Sequence, residues 1–323
     1  MTPPAAHAPG FGPFAPSLAG ASVLSLMEHS PDAVEAILHS AGILAATPRT
    51  SWPQLLAGRM IALIFERPST RTRVSFEVGI THLGGHAVVL AGRDMQMGRG
   101  ETIEDTALVL SRMVDAIVLR TGPHATLEEL DRHATVPVIN SLSHAHHPCQ
   151  ALADALTLIQ RFGALRGLRV AYVGDGNNCC ASLMIVGALT GMHVVAACPS
   201  GYTPDPDIVA WCNQIGASTG GGASVTDNPQ SGVEGCHAIY TDTWISMGDE
   251  QEADRRRKDL DPYRVDARLL GLARPDAIVL HCLPAHQGEE ITYEVLHGPQ
   301  SAVWDQAENR IYAQAALLGH ILA

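Results

Sequence analysis

The chain has 323 residues, 46% of them hydrophobic, and 21 basic against 33 acidic side chains leave a net charge of −12. That length suits about two domains, the hydrophobic share excludes a disordered chain, and the acidic balance argues against non-specific nucleic-acid binding. No apolar run approaches the ~18 residues of a membrane span, so neither nucleic acid nor membrane is an expected partner.

Met1 to Ser17 is rich in Pro, Ala and Gly and holds no Lys or Arg. A secretory signal needs a basic start and an apolar stretch, and a transit peptide needs arginines. Residues 1–20 are therefore expected to form a loose, flexible arm. Beyond it, short apolar runs alternate with helix-length stretches. Met60–Phe65, Ala87–Leu90, Ala116–Leu119, Pro137–Ile139, Arg169–Val173, His193–Ala197, Ala238–Tyr240 and Ala277–Leu280 read as buried strands. Thr102–Met113, Gln150–Phe162, Ser182–Thr190 and Gln306–Leu322 read as helices.

This alternation is the signature of parallel α/β sheets. The number of runs suits two sheets of four or five strands, with an eight-stranded barrel as the alternative. The expected division is an arm over 1–20, a domain over 21–150, a linking helix over 151–163, a domain over 164–305 and a C-terminal helix over 306–323. Seven cysteines, with Cys179 and Cys180 adjacent and no CxxC pair, point to a reduced, cytoplasmic compartment.

Ligands of open α/β sheets bind beyond the carboxyl ends of the strands. Polar clusters follow six of the apolar runs. Phe65 leads to Ser69-Thr70-Arg71-Thr72-Arg73, Leu119 to Arg120, and Ile139 to His147-Pro148-Cys149-Gln150. Val173 leads to Gly174-Asp175-Gly176-Asn177-Asn178, Tyr240 to Asp242 and Ser246-Met247-Gly248, and Leu280 to His281-Cys282-Leu283-Pro284. Hydroxyls and amides at a helix start, followed by arginines, make an anion site. An ordinary N-cap with solvated arginines is the competing reading.

The glycine cluster lacks a third glycine, and no acid follows the next strand, which disfavours a dinucleotide. A tight turn explains it equally well. His144, His146 and His147, like His281, Cys282 and His286, lack the spacing of a structural zinc site. No metal and no cofactor is therefore expected. Cys282 alone is more often a buried small hydrophobe than a reactive thiol.

Together, Ser69-Thr70-Arg71-Thr72-Arg73, His147-Pro148-x-Gln150, Asp242-x-x-x-Ser246-Met247-Gly248 and His281-Cys282-Leu283-Pro284 resemble the motifs of the carbamoyltransferases, most closely the ornithine-using branch. The resemblance runs from about Phe65 to Arg310. It implies an α/β fold of two domains, each a parallel sheet flanked by helices, with the active site in the interdomain cleft. It also implies transfer of a carbamoyl group from carbamoyl phosphate to L-ornithine in arginine metabolism, with biosynthesis favoured over catabolism, by a trimer or a multiple of one with shared sites.

Carried over by motif, Ser69, Thr70, Arg71, Thr72, Arg120 and Arg310 would hold the phosphate. Arg120 and His147 would polarise the carbamoyl oxygen, and Gln150 would meet its nitrogen. Gln96 would reach in from a neighbouring subunit. Asn178, Asp242, Ser246 and Met247 would bind ornithine, with Cys282 and Leu283 near the reacting groups. Arg71, Arg120, His147 and Cys282 form the expected catalytic set. Arg67 departs from the lysine of many relatives, and the arm has no evident counterpart. The alternatives are another amine, such as putrescine or an acylated ornithine, and an inactive homologue serving as a binding subunit.

Overall fold

The structure, a computed structural model, describes residues 7–97, 100–245 and 250–323. The chain forms two compact units, one running to Leu156 and including Glu308–Ala323, the other Thr157–Ala307.

In the first unit, α1 (Pro31–Ala46) starts at Ser30, whose hydroxyl accepts from the Ala33 amide while Pro31 fills the first helical position. Then come β1 (Met60–Phe65), α2 (Thr70–His82), β2 (His86–Ala91), α3 (Ile103–Leu110), β3 (Ala116–Arg120), α4 (His124–His133), β4 (Val138–Leu142) and the start of α5 (Pro148–Phe162). The strands are all parallel, in the order β2-β1-β3-β4. Ile61 to Ile64 are fully buried, as an unbroken apolar run requires when helices cover both faces of a sheet. Phe65 of β1 pairs with Arg120 of β3, so the two strands end together. A register shift between Leu119 and Arg120 then sets Arg120 opposite Leu142 of β4.

The second unit holds β5 (Arg169–Val173), α6 (Asn178–Thr190), β6 (His193–Ala197), α7 (Pro206–Thr219), β7 (Gly222–Thr226), α8 (Pro229–Val233), β8 (Ala238–Thr241), α9 (Ala253–Leu260), α10 (Ala267–Leu270), β9 (Ile278–His281) and α11 (Tyr293–Leu296); α12 (Val303–Leu322) begins here. Its parallel sheet has the order β9-β8-β5-β6-β7. Helix α6 is buried from Cys179 to Thr190, so it shows no polar face. It ends at Gly191, which takes a left-handed φ of 82° that a side chain would strain.

All eight expected strands form, in two open sheets rather than a barrel. The additional strand of these two sheets, β7, escaped the apolar pattern because Gly222 and Ser224 dilute it. It pairs with β6 alone, at the sheet edge.

The loose arm expected over 1–20 is corrected for residues 8–20. His7–Ala8 pairs antiparallel with Gly12–Pro13. Phe11 and Leu18 are fully buried, and the Phe11 ring meets Phe14 at 5.3 Å and His320 of α12 at 5.1 Å. The Gly20 amide donates to the Ile321 carbonyl. Composition weighed the prolines and glycines, whereas two aromatic rings decide the packing. Burying one such ring is worth about 1.5–3 kcal/mol.

Candidate active site

The first unit gathers cationic and polar groups beyond the ends of β1, β3 and β4. Ser69 is the N-cap of α2, but its hydroxyl makes no capping bond. It accepts instead from Arg120 Nη1 at 3.2 Å. The amides of the first turn of α2 therefore keep their capacity for an anion. Thr70 is exposed, Arg71 half-buried and Thr72 buried in that turn.

Arg310, buried on α12, ties the group together. Its Nη1 donates to Gln150 Oε1 at 2.6 Å and its Nη2 to Thr72 Oγ1 at 3.1 Å. Gln150, on the first turn of α5, donates its Nε2 to buried Asp154 at 2.8 Å. That spacing of four residues puts Gln150 and Asp154 on one helix face. His147 is buried beside this network. Burial, with Arg310 and then Arg120 nearby, pushes its imidazole well below the usual 6.5, so the ring is neutral at physiological pH.

Gln96 and Arg67 are exposed. Among the described residues no hydrogen bond brings the Gln96 side chain to this cluster. His144 and His146 do not join it as ligands either. His146 packs on His124 at 5.2 Å, and burial followed by that neighbour lowers it to about 4.

The second unit gathers a different set beyond β5, β8 and β9. Asp242 directly follows β8 and is 7% exposed. Its Oδ1 accepts from the Thr243 amide and the Cys282 thiol, each at 2.8 Å. Its Oδ2 accepts from Asn177 Nδ2 at 2.9 Å. The hydrogen bond to Cys179, burial and the Asp242 carboxylate push the Cys282 thiol well above 9.0. Cys282 is thus a protonated donor rather than a thiolate nucleophile.

The loop carrying Cys282 is held from below. His281 and Glu290 are fully buried, with His281 Nε2 3.1 Å from Glu290 Oε1. The Leu283 amide donates to His281 Nδ1 at 2.9 Å. Leu283 has a φ of 59°, a strained conformation for a branched side chain, at the point where the chain leaves β9. Asn178 opens α6, half-buried. Ser246 and Met247 lie outside the described residues.

The Gly174-Asp175-Gly176 turn is explained by close packing. A Cβ on Gly176 would stand 2.4 Å from the Pro204 nitrogen and 2.7 Å from the Tyr202 carbonyl. Asp175 is spent on Arg256, at 3.0 Å and largely out of solvent.

Neither trio set aside in the sequence, His144 with His146 and His147 or His281 with Cys282 and His286, is a convergent set among the described residues. Among the described residues, the convergent sets are Cys179, Asp242 and Cys282, and His286, Glu289 and Glu290. Sequence reading missed the roles of Asp154, Cys179 and Glu290, of which only Asp154 carried a signal, its spacing of four from Gln150; it named Asn177 in the cluster after β5 without its partner Asp242.

The family models place these two units. The carbamoyl-phosphate-binding domain of the aspartate/ornithine carbamoyltransferases matches residues 21–160, and their Asp/Orn-binding domain matches residues 166–321. An ornithine carbamoyltransferase from Halalkalibacterium halodurans is 51% identical over 307 residues, covering 95% of this chain and 96% of its own. An anabolic ornithine carbamoyltransferase from Pyrococcus furiosus is 49% identical, covering 95% and 98%. The solved structure of the ornithine carbamoyltransferase from that organism superposes with a TM-score of 0.91, at 49% identity, over 94% of this chain and 98% of its own. That of the Giardia lamblia enzyme gives 0.85 at 31% identity, over 93% and 97%. With both family models matched across most of its length, the chain belongs to the aspartate/ornithine carbamoyltransferase family.

Proposed function

We infer that the protein transfers the carbamoyl group of carbamoyl phosphate to the side-chain amine of L-ornithine, giving L-citrulline and phosphate, in arginine biosynthesis. One observation carries this reading beyond the family. Arg71 and Arg120 lie in the stretch that matches the carbamoyl-phosphate model, Arg310 of α12 donates to Gln150 and Thr72 of that stretch, and a carboxylate, Asp242, lies in the stretch that matches the amino-acid model. The hydrogen bonds of Asp242 among the described residues all come from neutral donors, which leaves carboxylate lone pairs for a cationic substrate. Aspartate would bring a second carboxylate of the same sign.

In this reading Ser69, Thr70, Arg71, Thr72, Arg120 and Arg310 hold the phosphate. Neutral His147 and Arg120 donate to the carbamoyl oxygen as it gains charge. Gln150 Oε1 spends one lone pair on Arg310 and offers the second to the carbamoyl nitrogen. Asn178, Asp242, Ser246 and Met247 bind ornithine, with Cys282 and Leu283 beside the reacting amine. Gln96 completes the site of a neighbouring subunit in a cytoplasmic homotrimer. Residues 21–150 and 164–305 serve as the two substrate domains.

The side-chain amine, with a pKa near ~10.4, loses a proton before it attacks the carbamoyl carbon. That first proton goes to solvent; the C–N bond forms as the carbonyl becomes a tetrahedral oxyanion, the C–O bond to phosphate then breaks, and the leaving phosphate takes the second proton from the nitrogen. Positioning and oxyanion stabilisation carry the rate, with no covalent enzyme intermediate. A citrulline-type assay with ornithine, putrescine, N-acetylornithine, lysine and aspartate tests the assignment. Turnover confined to ornithine is the expected outcome. Faster turnover of another amine, or none with any, would reject it.

A further inference from the structure

Asn177 makes two kinds of contact with one amide. Its Oδ1 caps α6, accepting from the Cys179 amide at 2.9 Å and the Cys180 amide at 3.3 Å. The same oxygen accepts from the Tyr172 hydroxyl at 2.8 Å. Tyr172 is fully buried and stacks on Tyr240 at 5.2 Å, so this donor is fixed. On the other side, Nδ2 donates to Asp242 Oδ2 at 2.9 Å.

These partners leave the amide one orientation. Flipped, its NH2 would face two backbone N–H groups, and its oxygen would face a carboxylate. Three donors on Oδ1 also polarise the amide and strengthen the bond from Nδ2. Aspartate at this position would keep the cap and lose the donor. Serine or threonine would keep the cap and fall short of Asp242. Asparagine alone supplies both at this reach.

We propose that Asn177 is a positioning residue for ornithine selection: the amide that caps α6 also fixes the Asp242 carboxylate so that its remaining lone pairs meet the α-ammonium of the substrate. The inference rests on the reading of Asp242 given above. It makes the start of α6 part of substrate recognition through one side chain that is not itself a ligand.

Asn177→Ser and Asn177→Thr separate the two duties, because both hydroxyls cap helices well. Ornithine KM, at saturating carbamoyl phosphate, should rise about tenfold in each, the size expected for losing a hydrogen bond to a charged group. Melting temperature and calorimetric affinity for carbamoyl phosphate should stay near wild type, and kcat should change less than KM. Asn177→Ala, which loses the cap as well, should also melt earlier. Unchanged ornithine KM in both hydroxyl variants would overturn the proposal. So would a KM that rises only in step with falling melting temperature, since that is the mark of a cap alone. A wild-type protein that makes no citrulline would instead overturn the parent reading, and this proposal with it.

Discussion

The two units solve opposite electrostatic problems. In the proposed reading the first holds a multiply charged anion with arginines from three separate places, the start of α2, the end of β3 and the middle of α12. Arg310 is buried, and its charge is shared between two neutral acceptors, Thr72 and Gln150. The second must hold an amino acid that carries two amines. In the same reading it does so with one carboxylate, Asp242, kept in place by an amide, a backbone N–H and a thiol. Charge is concentrated in the first and rationed in the second. Losing an arginine should therefore damage chemistry and binding together, whereas disturbing Asp242 should damage one substrate only.

The most severe test of this contrast is Arg71→Ala. It removes positive charge from both the phosphate and the developing oxyanion. The kcat/KM should fall by roughly 100-fold or more, the usual cost of deleting one key stabilising donor. Calorimetry should show weaker carbamoyl phosphate binding in parallel. A near-normal kcat/KM would take Arg71 out of the site.

Asp242→Asn addresses the rationed side. Ornithine affinity should fall by about 1.5–3 kcal/mol, the range for a hydrogen bond to a charged group. Binary carbamoyl phosphate binding should stay close to wild type. Joint weakening of both ligands, with a lower melting temperature, would make Asp242 a structural residue and dissolve the contrast.

A gentler change sharpens the account of the phosphate side. Arg310→Lys preserves charge, but one ammonium cannot replace the fork that spans Gln150 and Thr72. Carbamoyl phosphate affinity should fall by about tenfold, with ornithine KM at saturating carbamoyl phosphate little altered. An unchanged affinity would mean that charge alone matters at this position.

Much of this was legible in the sequence because parallel strands announce themselves. Runs such as Met60–Phe65 are buried on both faces, so they read as unbroken apolar stretches, and the polar residues after them fall where ligands bind. Arg71, Arg120, His147, Gln150, Asp242 and Cys282 all stand at such places. Other features depend on distance through the fold. The bond from Arg310 to Thr72 spans 238 positions, and nothing local announces it. Asn177 stood equally open as a turn former or a ligand contact, because its second partner, Asp242, lies 65 residues away. Ser69 was open to two readings, an anion ligand or an N-cap, and its hydroxyl caps nothing and accepts from Arg120 instead. The arm misled for a different reason, since a Pro- and Gly-rich stretch can still be pinned by the two rings of Phe11 and Phe14.

Acid extends the contrast from ligands to stability, with the smallest expected effect. In the first unit, burial holds His320 at about 4, burial and then His124 hold His146 at about 4, and His147 lies well below 6.5. His320 is committed on both nitrogens, accepting from the Ala15 amide at 3.1 Å and lying 3.0 Å from Ser40 Oγ. In the second unit the lowered histidine is His193, under burial and Arg169, and it is only partly buried. A histidine whose folded pKa is depressed contributes stability that is complete above about 6.5. That stability is lost as pH falls toward the folded value, because the unfolded chain takes up protons the folded one refuses. The first unit should thus lose stability sooner between pH 6.5 and 4, by on the order of 1–3 kcal/mol for each of His146 and His320. Hydrogen exchange corrected for intrinsic rates should show peptides around α1 and α12 opening before those of β5 and β6. His320→Gln keeps an acceptor and a donor but cannot titrate, so it should flatten the fall in the first unit alone. If β5 and β6 open first, or if His320→Gln leaves the pH slope unaltered, the buried histidines do not set the acid limit.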